Sequence, residues 1–292
     1  MPITLENYAV KFPRSILENL KRVRKRLESF STEDFINGDL YLPSVHLLGK
    51  KSKLLRSTFV LMGAGMINEN PIRFVDLAVA AELLHASSLI HDDIIDGDQI
   101  RRGVESVHSK YGIHIGILAG DALIAKSVEL ASKYGENVLM SITRSSMEMC
   151  AGEALDYRYQ KMRSAPNLSQ YIKIVTLKSA SLIASCFNSA AIYKSSKIAD
   201  EMYLSGKDIG IAFQIRDDIA DYMYYVKKGR YKQLVPNVVT SIQKDYGIGR
   251  NYALIKAVHM NNEYVTRAQE RLASIRLGSS FIKYSDLIRV TI

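Results

Sequence analysis

Residues 74–96 read FVDLAVAAELLHASSLIHDDIID, an apolar stretch closing on Asp92, Asp93 and Asp96. Its apolar and small residues recur at three- and four-residue spacing: Phe74-Val75, Leu77-Ala78, Ala81, Leu84-His85, Ser88-Leu89. That is the period of a helix, not the alternation of a strand. The same spacing dominates the chain, and sustained two-residue alternation is scarce. Breaks fall at Asn68 to Pro71, at Tyr134 to Asn137, at Ala165 to Asn167 and between Gly229 and Pro236. Asn167 or Ser169 is placed to cap a helix starting near Tyr171. With no repeat, low-complexity tract or long linker, the expectation is an all-α fold. One domain over residues 1–292 would hold about ten or more helices with short connections.

The chain has 292 residues, 47% of them apolar and 24% charged, which excludes wholesale disorder and allows a sizeable core. Its two cysteines, Cys150 and Cys186, are too few for a disulfide framework or a four-thiolate zinc site, and read as reduced thiols. The opening MPITLENYAVKF lacks a basic stretch followed by an apolar core. The longest run without a charged residue, Ser179 to Tyr193, falls short of the roughly 20 residues a spanning helix needs. A cytoplasmic location is expected. Thirty-nine Lys and Arg against thirty Asp and Glu give +9, which suits an anionic partner. The densest basic cluster, Lys21 to Arg26, carries no interleaved aromatic residue and reads as a solvated helix face, with no nucleic acid implied.

Two acidic triplets stand out, His91-Asp92-Asp93-Ile94-Ile95-Asp96 and Arg216-Asp217-Asp218-Ile219-Ala220-Asp221. Six of the sixteen aspartates fall in them. At i,i+4 spacing on a helix, Asp92 and Asp96 share one face, and so do Asp217 and Asp221. Three carboxylates in one turn repel, and Asp is a poor helix former, so the arrangement costs stability unless it holds a cation such as Mg2+. Solvated acidic turns would explain one triplet. They explain two poorly, because the flanks, Ser87 to Ile90 and Ile209 to Phe213, are apolar. Positive charge lies close by in sequence, at Arg101-Arg102-Gly103 and in the basic segment Gly49 to Arg56. Arg forks and Lys point charges suit phosphate oxygens, so a metal-bridged anion beside a directly bound one is the reading.

On these residues the chain resembles the trans-isoprenyl diphosphate synthases of the polyprenyl synthetase family. The resemblance runs from the Lys50 region to Asp221. It takes in Glu82-Leu83-Leu84-His85, the first acidic motif with its Arg-Arg-Gly tail, Gly120-Asp121, Gly152-Glu153-Ala154-Leu155-Asp156, Lys178-Ser179 and Phe213-Gln214 before the second acidic motif. It implies mostly antiparallel helices around a deep central cavity, a homodimer and about three Mg2+ ions. The reaction implied is head-to-tail condensation of isopentenyl diphosphate with an allylic prenyl diphosphate. By that resemblance Asp92, Asp96 and Asp217 ligate Mg2+, supported by Asp93, Asp218 and Asp221. Arg101 and Lys178 hold the allylic diphosphate, and Lys53, Arg56, His85 and Arg102 bind isopentenyl diphosphate without metal. Ser179 and Gln214 face the developing cation. Peripheral membrane contact would serve product release.

Product length in the family is often set four and five residues before the first aspartate, where an aromatic side chain blocks the cavity. Here those positions are Ser88 and Ser87, and Ala81 lies about 16 Å down the same stripe. A product of six to eight isoprene units is expected. The alternative, geranylgeranyl or farnesyl diphosphate, requires Leu83, Leu84 or a partner-subunit side chain to close the pocket sooner. Three departures from the family pattern stand out: Lys51-Ser52-Lys53 for Gly-Gly-Lys with Ser57 for a proline, Glu153 for a glutamine, and a short segment after Asp221. Lys50 or Lys51 would then share the basic role, and Lys227, Lys228 or Lys232 would replace the missing lysine. Rival readings are a terpene cyclase, a metal phosphohydrolase built on His91-Asp92, and a non-catalytic subunit of a heteromeric synthase.

Overall fold

The computed structural model describes residues 12–36, 38–48, 52–228, 236–277, 279–286 and 288–290. Contacts divide the chain into two compact units, Met1–Thr143 with Ser189–Ser196, and Arg144–Asn188 with Lys197–Ile292. The first carries α1 (Arg14–Glu28), α2 (Gly38–Val45), α3 (Leu55–Met66), α4 (Val75–Asp96), a hairpin of β1 (Ile100–Arg101) and β2 (Val104–Glu105), α5 (Val107–Tyr111) and α6 (Ile113–Ser132). Then follow α7 (Glu136–Met162), α8 (Leu168–Val175), α9 (Ser181–Tyr193), α10 (Ala199–Lys227), α11 (Val238–Tyr246), α12 (Arg250–Ser274) and α13 (Ser279–Ser285). The helical expectation holds, and the small antiparallel hairpin is an addition to it.

In the first unit α4 packs on α6 and α3. Leu77, Ala78, Ala80, Ala81, Leu83 and Ile90 of α4 are fully buried. The face of α6 towards α4 is made of small residues, Gly116, Ala119, Gly120 and Ser127, around Leu123, so the two backbones approach closely. Ser127 Oγ donates to the Ala80 carbonyl at 2.8 Å, which satisfies a buried hydroxyl. A Cβ on Gly120 would lie 2.1 Å from His91 Nε2, so the imidazole occupies the space a larger residue would need. Helix α1 buries Ile16, Leu20, Val23 and Leu27 and leaves Lys21, Arg22 and Lys25 exposed, the solvated basic face its pattern implies. Glu18 pairs with Arg14 at 2.8 Å on that face.

In the second unit α10 packs on α12, and Ile211, Ile215, Ile219 and Tyr222 join Val238, Val239, Ile242, Ala253 and Ala257 in one apolar cluster. Asn167 caps α8, its side chain accepting the Gln170 amide at 2.8 Å in a full capping box. Between α8 and α9 the chain makes a π-turn over Thr176–Ala180. Such turns insert a residue into a helix and re-aim the side chains that follow. Small residues admit the backbone of this turn and of α9: a Cβ on Gly210 would come within 2.6 Å of Ala180 Cα, and one on Gly206 within 2.9 Å of Ala184 Cα.

Two helical stretches, Pro71–Asp96 and Leu168–Tyr193, have the length and apolarity to cross a membrane. However, 67% and 78% of their most apolar windows are buried inside the protein, as in core helices.

Among the described glycines the tightest approach to backbone is at Gly152, where a Cβ would meet the Lys178 backbone nitrogen at 2.3 Å and its Cα at 2.7 Å. Backbone cannot yield as a flexible side chain does. Gly152→Val is expected to destabilise the protein by about 1–3 kcal/mol, the usual cost of overpacking, read as a lower urea midpoint at unchanged m-value.

Candidate functional site

The first acidic turn closes α4. Asp92 is partly exposed and Asp96 exposed, whereas Asp93 is fully buried. Asp93 Oδ1 accepts from the Arg101 guanidinium, and Arg101 Nη2 also reaches Asp98 at 3.1 Å. Burial pushes the Asp93 carboxyl up, opposed by the arginine. The hairpin pairs Ile100 with Glu105 and Arg101 with Val104, so Arg102 and Gly103 form its two-residue turn. Both have positive φ, 54° and 79°. Gly103 takes this freely, while an arginine there is uncommon and its backbone strained. The hairpin thus sends Arg101 back to α4 and Arg102 towards α2, where its Nη1 donates to the Leu47 carbonyl at 3.3 Å.

Behind this turn the first unit gathers cations. Arg56 Nη1 lies 3.1 Å from His85 Nε2. Burial, then the charges of Arg56, Arg102 and Arg101, hold the His85 imidazole well below the usual histidine range, so it is neutral. Desolvation lowers Arg102 as well. Of the residues expected to bind a metal-free anion, Arg56, His85 and Arg102 therefore share one electropositive environment, and Lys53 stands exposed at the start of the same segment. Lys50 and Lys51 lie outside the described residues. Glu82, which sequence reasoning left without a role, is buried beneath this segment. It accepts from Ser52 Oγ at 3.2 Å and from the Ser57 amide at 3.0 Å.

The second acidic turn, on α10, repeats the pattern. Asp217 is partly exposed, Asp221 exposed and Asp218 buried. Asp218 accepts from Tyr171 Oη, Gln214 Nε2 and the Val238 amide, each at 2.9 Å. Burial nevertheless pushes its carboxyl up to about 7. Ser179 Oγ donates to Gln214 Oε1 at 3.1 Å, so Ser179, Gln214 and Asp218 form one polar chain. Lys178, on the π-turn, sits between Asp156 at 2.5 Å and Glu153 at 2.6 Å. Those two acids, three apart on α7, share a helix face, and that spacing is the signal that would have paired them with a lysine. Nothing local in the sequence announced Tyr171. Lys227 and Lys228 are exposed, the latter 6.0 Å above the Tyr224 ring, and Lys232 lies outside the described residues.

Among the described residues no three His, Cys, Asp or Glu side chains converge as a preformed metal cage. Two accessible carboxylates one turn apart are instead the donor set Mg2+ takes when waters and substrate phosphates supply the rest of its octahedron. The residues fit that ion. On the stripe assigned to product length, Ala81, Leu84 and Ser87 are buried and Ser88 is partly exposed, its hydroxyl turned back to the His85 carbonyl at 2.9 Å.

Residues 38–232 match the model of the polyprenyl synthetase family. The chain is 31% identical over 208 residues to a short chain isoprenyl diphosphate synthase of Methanothermobacter thermautotrophicus, covering 69% of this chain and 62% of that protein. It thus spans less than two thirds of that relative's length. It is 30% identical over 233 residues to a geranylfarnesyl diphosphate synthase of Methanosarcina mazei, covering 79% of this chain and 78% of that one. The fold is shared with a geranylgeranyl pyrophosphate synthetase from Pyrococcus horikoshii, with a TM-score of 0.82 at 22% identity over 95% of this chain and 97% of the other. On the length and level of these matches, the chain belongs to the polyprenyl synthetase family.

Proposed function

We propose that the protein is a trans-polyprenyl diphosphate synthase, joining isopentenyl diphosphate head-to-tail to an allylic prenyl diphosphate in the cytoplasm as a homodimer. The observation that carries this reading is the repeated build of the acidic turns. In each, the i and i+4 carboxylates are accessible while the middle one is buried and bonded inward. A solvated acidic turn has no reason to bury its middle member.

Asp92, Asp96 and Asp217 are the oxygen donors we assign to Mg2+ on the allylic diphosphate, with Asp93, Asp218 and Asp221 in support. Bound there, Mg2+ neutralises charge on the leaving diphosphate, which lowers the cost of breaking the carbon–oxygen bond. Arg101 spends Nε and Nη2 on Asp93 and Asp98, and its Nη1 is the donor assigned to the same diphosphate. Lys178 adds charge to that diphosphate by leaving its carboxylate pair, and Lys228 is assigned to it as well. Lys53, Arg56 and Arg102 hold the diphosphate of isopentenyl diphosphate. Neutral His85 donates one hydrogen bond to it without adding repulsion among the arginines. Ser179 and Gln214 turn their oxygens towards the allylic cation. Fixed donors and dipoles of this kind stabilise charge as it develops, and holding the double bond against the cation replaces a bimolecular encounter. The proton released in forming the new double bond passes to the departing diphosphate.

The small side chains at Ala81, Ser87 and Ser88 support a product of six to eight units. Asp92→Ala and Asp217→Ala are each expected to lower turnover by at least ~10²–10³, the scale of losing one electrostatic stabiliser. Near-normal condensation by either variant contradicts the reading. Sizing the products made from labelled isopentenyl diphosphate tests length: chains beyond twenty carbons are expected, and products ending at twenty carbons refute the length assignment alone.

A further inference from the structure

The two serines that break the family pattern, Ser52 and Ser57, converge on one carboxylate. Glu82 of α4 is 4% exposed. Its Oε2 accepts from Ser52 Oγ at 3.2 Å and its Oε1 from the Ser57 amide at 3.0 Å. The contacts extend outward from there. Ser52 Oγ also accepts the Leu54 amide at 3.3 Å, and Ser57 Oγ donates to the Ala78 carbonyl of α4 at 2.9 Å. Arg24 of α1 reaches the Ser52 carbonyl at 3.2 Å. Neither usual residue of the family could take part in this way. A glycine at 52 has no hydroxyl, and a proline at 57 has no N–H to give.

The clamped segment carries Lys53 and Arg56, and its backbone turns through a positive φ of 49° at Leu54. A non-glycine residue is held in that region only where its surroundings fix it. Glu82 is also the charge that most opposes the lowering of Arg102 by desolvation. A small cavity lined by Leu27, Leu47, Ser52, Glu82 and Arg102 joins these groups. One buried carboxylate thus touches the segment bearing Lys53 and Arg56 on one side and supports Arg102 on the other.

We propose that Glu82, through Ser52 and Ser57, is the positioning residue of the metal-free diphosphate site, which this chain fixes by a carboxylate clamp in place of the family's glycine and proline. The proposal rests on the prenyltransferase reading above, and it concerns the affinity for isopentenyl diphosphate.

The test is calorimetric binding of isopentenyl diphosphate in EDTA to the full chain, with thermal unfolding recorded for every variant. Ser52→Gly and Glu82→Gln are each expected to weaken binding by about tenfold, the scale of losing a hydrogen bond to a charged group. Ser52→Thr restores it. In the condensation assay KM for isopentenyl diphosphate rises while KM for the allylic substrate holds, a split that a general loss of structure would not give. If folded Ser52→Gly and Glu82→Gln bind as the wild type does, the clamp is overturned and the synthase reading stands. If the wild type itself fails to bind isopentenyl diphosphate, the reading of function falls, and the clamp with it.

Discussion

Like charge within one helical turn is the constraint on which the rest of this structure turns. Asp92, Asp93 and Asp96 cannot all point to water on the same face, nor can Asp217, Asp218 and Asp221. The chain resolves this twice in the same way. It rotates the middle carboxylate into the protein and gives it donors, the Arg101 guanidinium in one unit, and Tyr171, Gln214 and the Val238 amide in the other. Breaking such a buried set leaves a carboxylate uncompensated, which is far more costly than losing a surface pair. The donors therefore hold the middle carboxylate inward and leave the i and i+4 carboxylates accessible, where the proposed Mg2+ would bind.

The cation cluster of the first unit follows a second logic, that of unbalanced charge. His85 is kept neutral by its burial and by the arginines around it, so the proposed diphosphate would meet guanidinium forks and a neutral donor there. Glu82 counterbalances Arg102 from beneath, and Asp93 and Asp98 pair with Arg101. In the second unit the balance is reversed. Lys178 lies between Glu153 and Asp156, and the carboxylate at 153, where the family usually has an amide, adds a charge that holds the lysine back.

Much of this was legible in the sequence because it is local. The three- and four-residue spacing gave the helices, and i,i+4 spacing placed Asp92 with Asp96 and Asp217 with Asp221. Asn167 and Ser169 both stood as caps for a helix near Tyr171; Asn167 is the cap, and the helix begins earlier, at Leu168. What stayed hidden depends on burial, which local pattern does not encode. Nothing at Asp93 or Asp218 says which member of a triplet turns inward, and nothing in Thr176 to Ala180 marks a π-turn. Gly152 and Gly210 let backbone approach backbone at that turn. In the sequence Ser52 and Ser57 are departures that pass part of the basic role to Lys50 or Lys51; the structure places Glu82 between the two serines. The hairpin of Arg102-Gly103 escaped a helical reading because its strands are two residues each, too short for alternation to show.

The central claim is that accessible carboxylates one turn apart bind a diphosphate only through a divalent ion. Binding of an unreactive allylic thiolodiphosphate, measured with Mg2+ and in EDTA, tests it most directly. The account predicts binding that requires Mg2+ and disappears in Asp92→Asn and Asp217→Asn, since those side chains keep their size and lose their charge. Equal affinity in EDTA, or undiminished Mg2+-dependent binding in both variants, would contradict it.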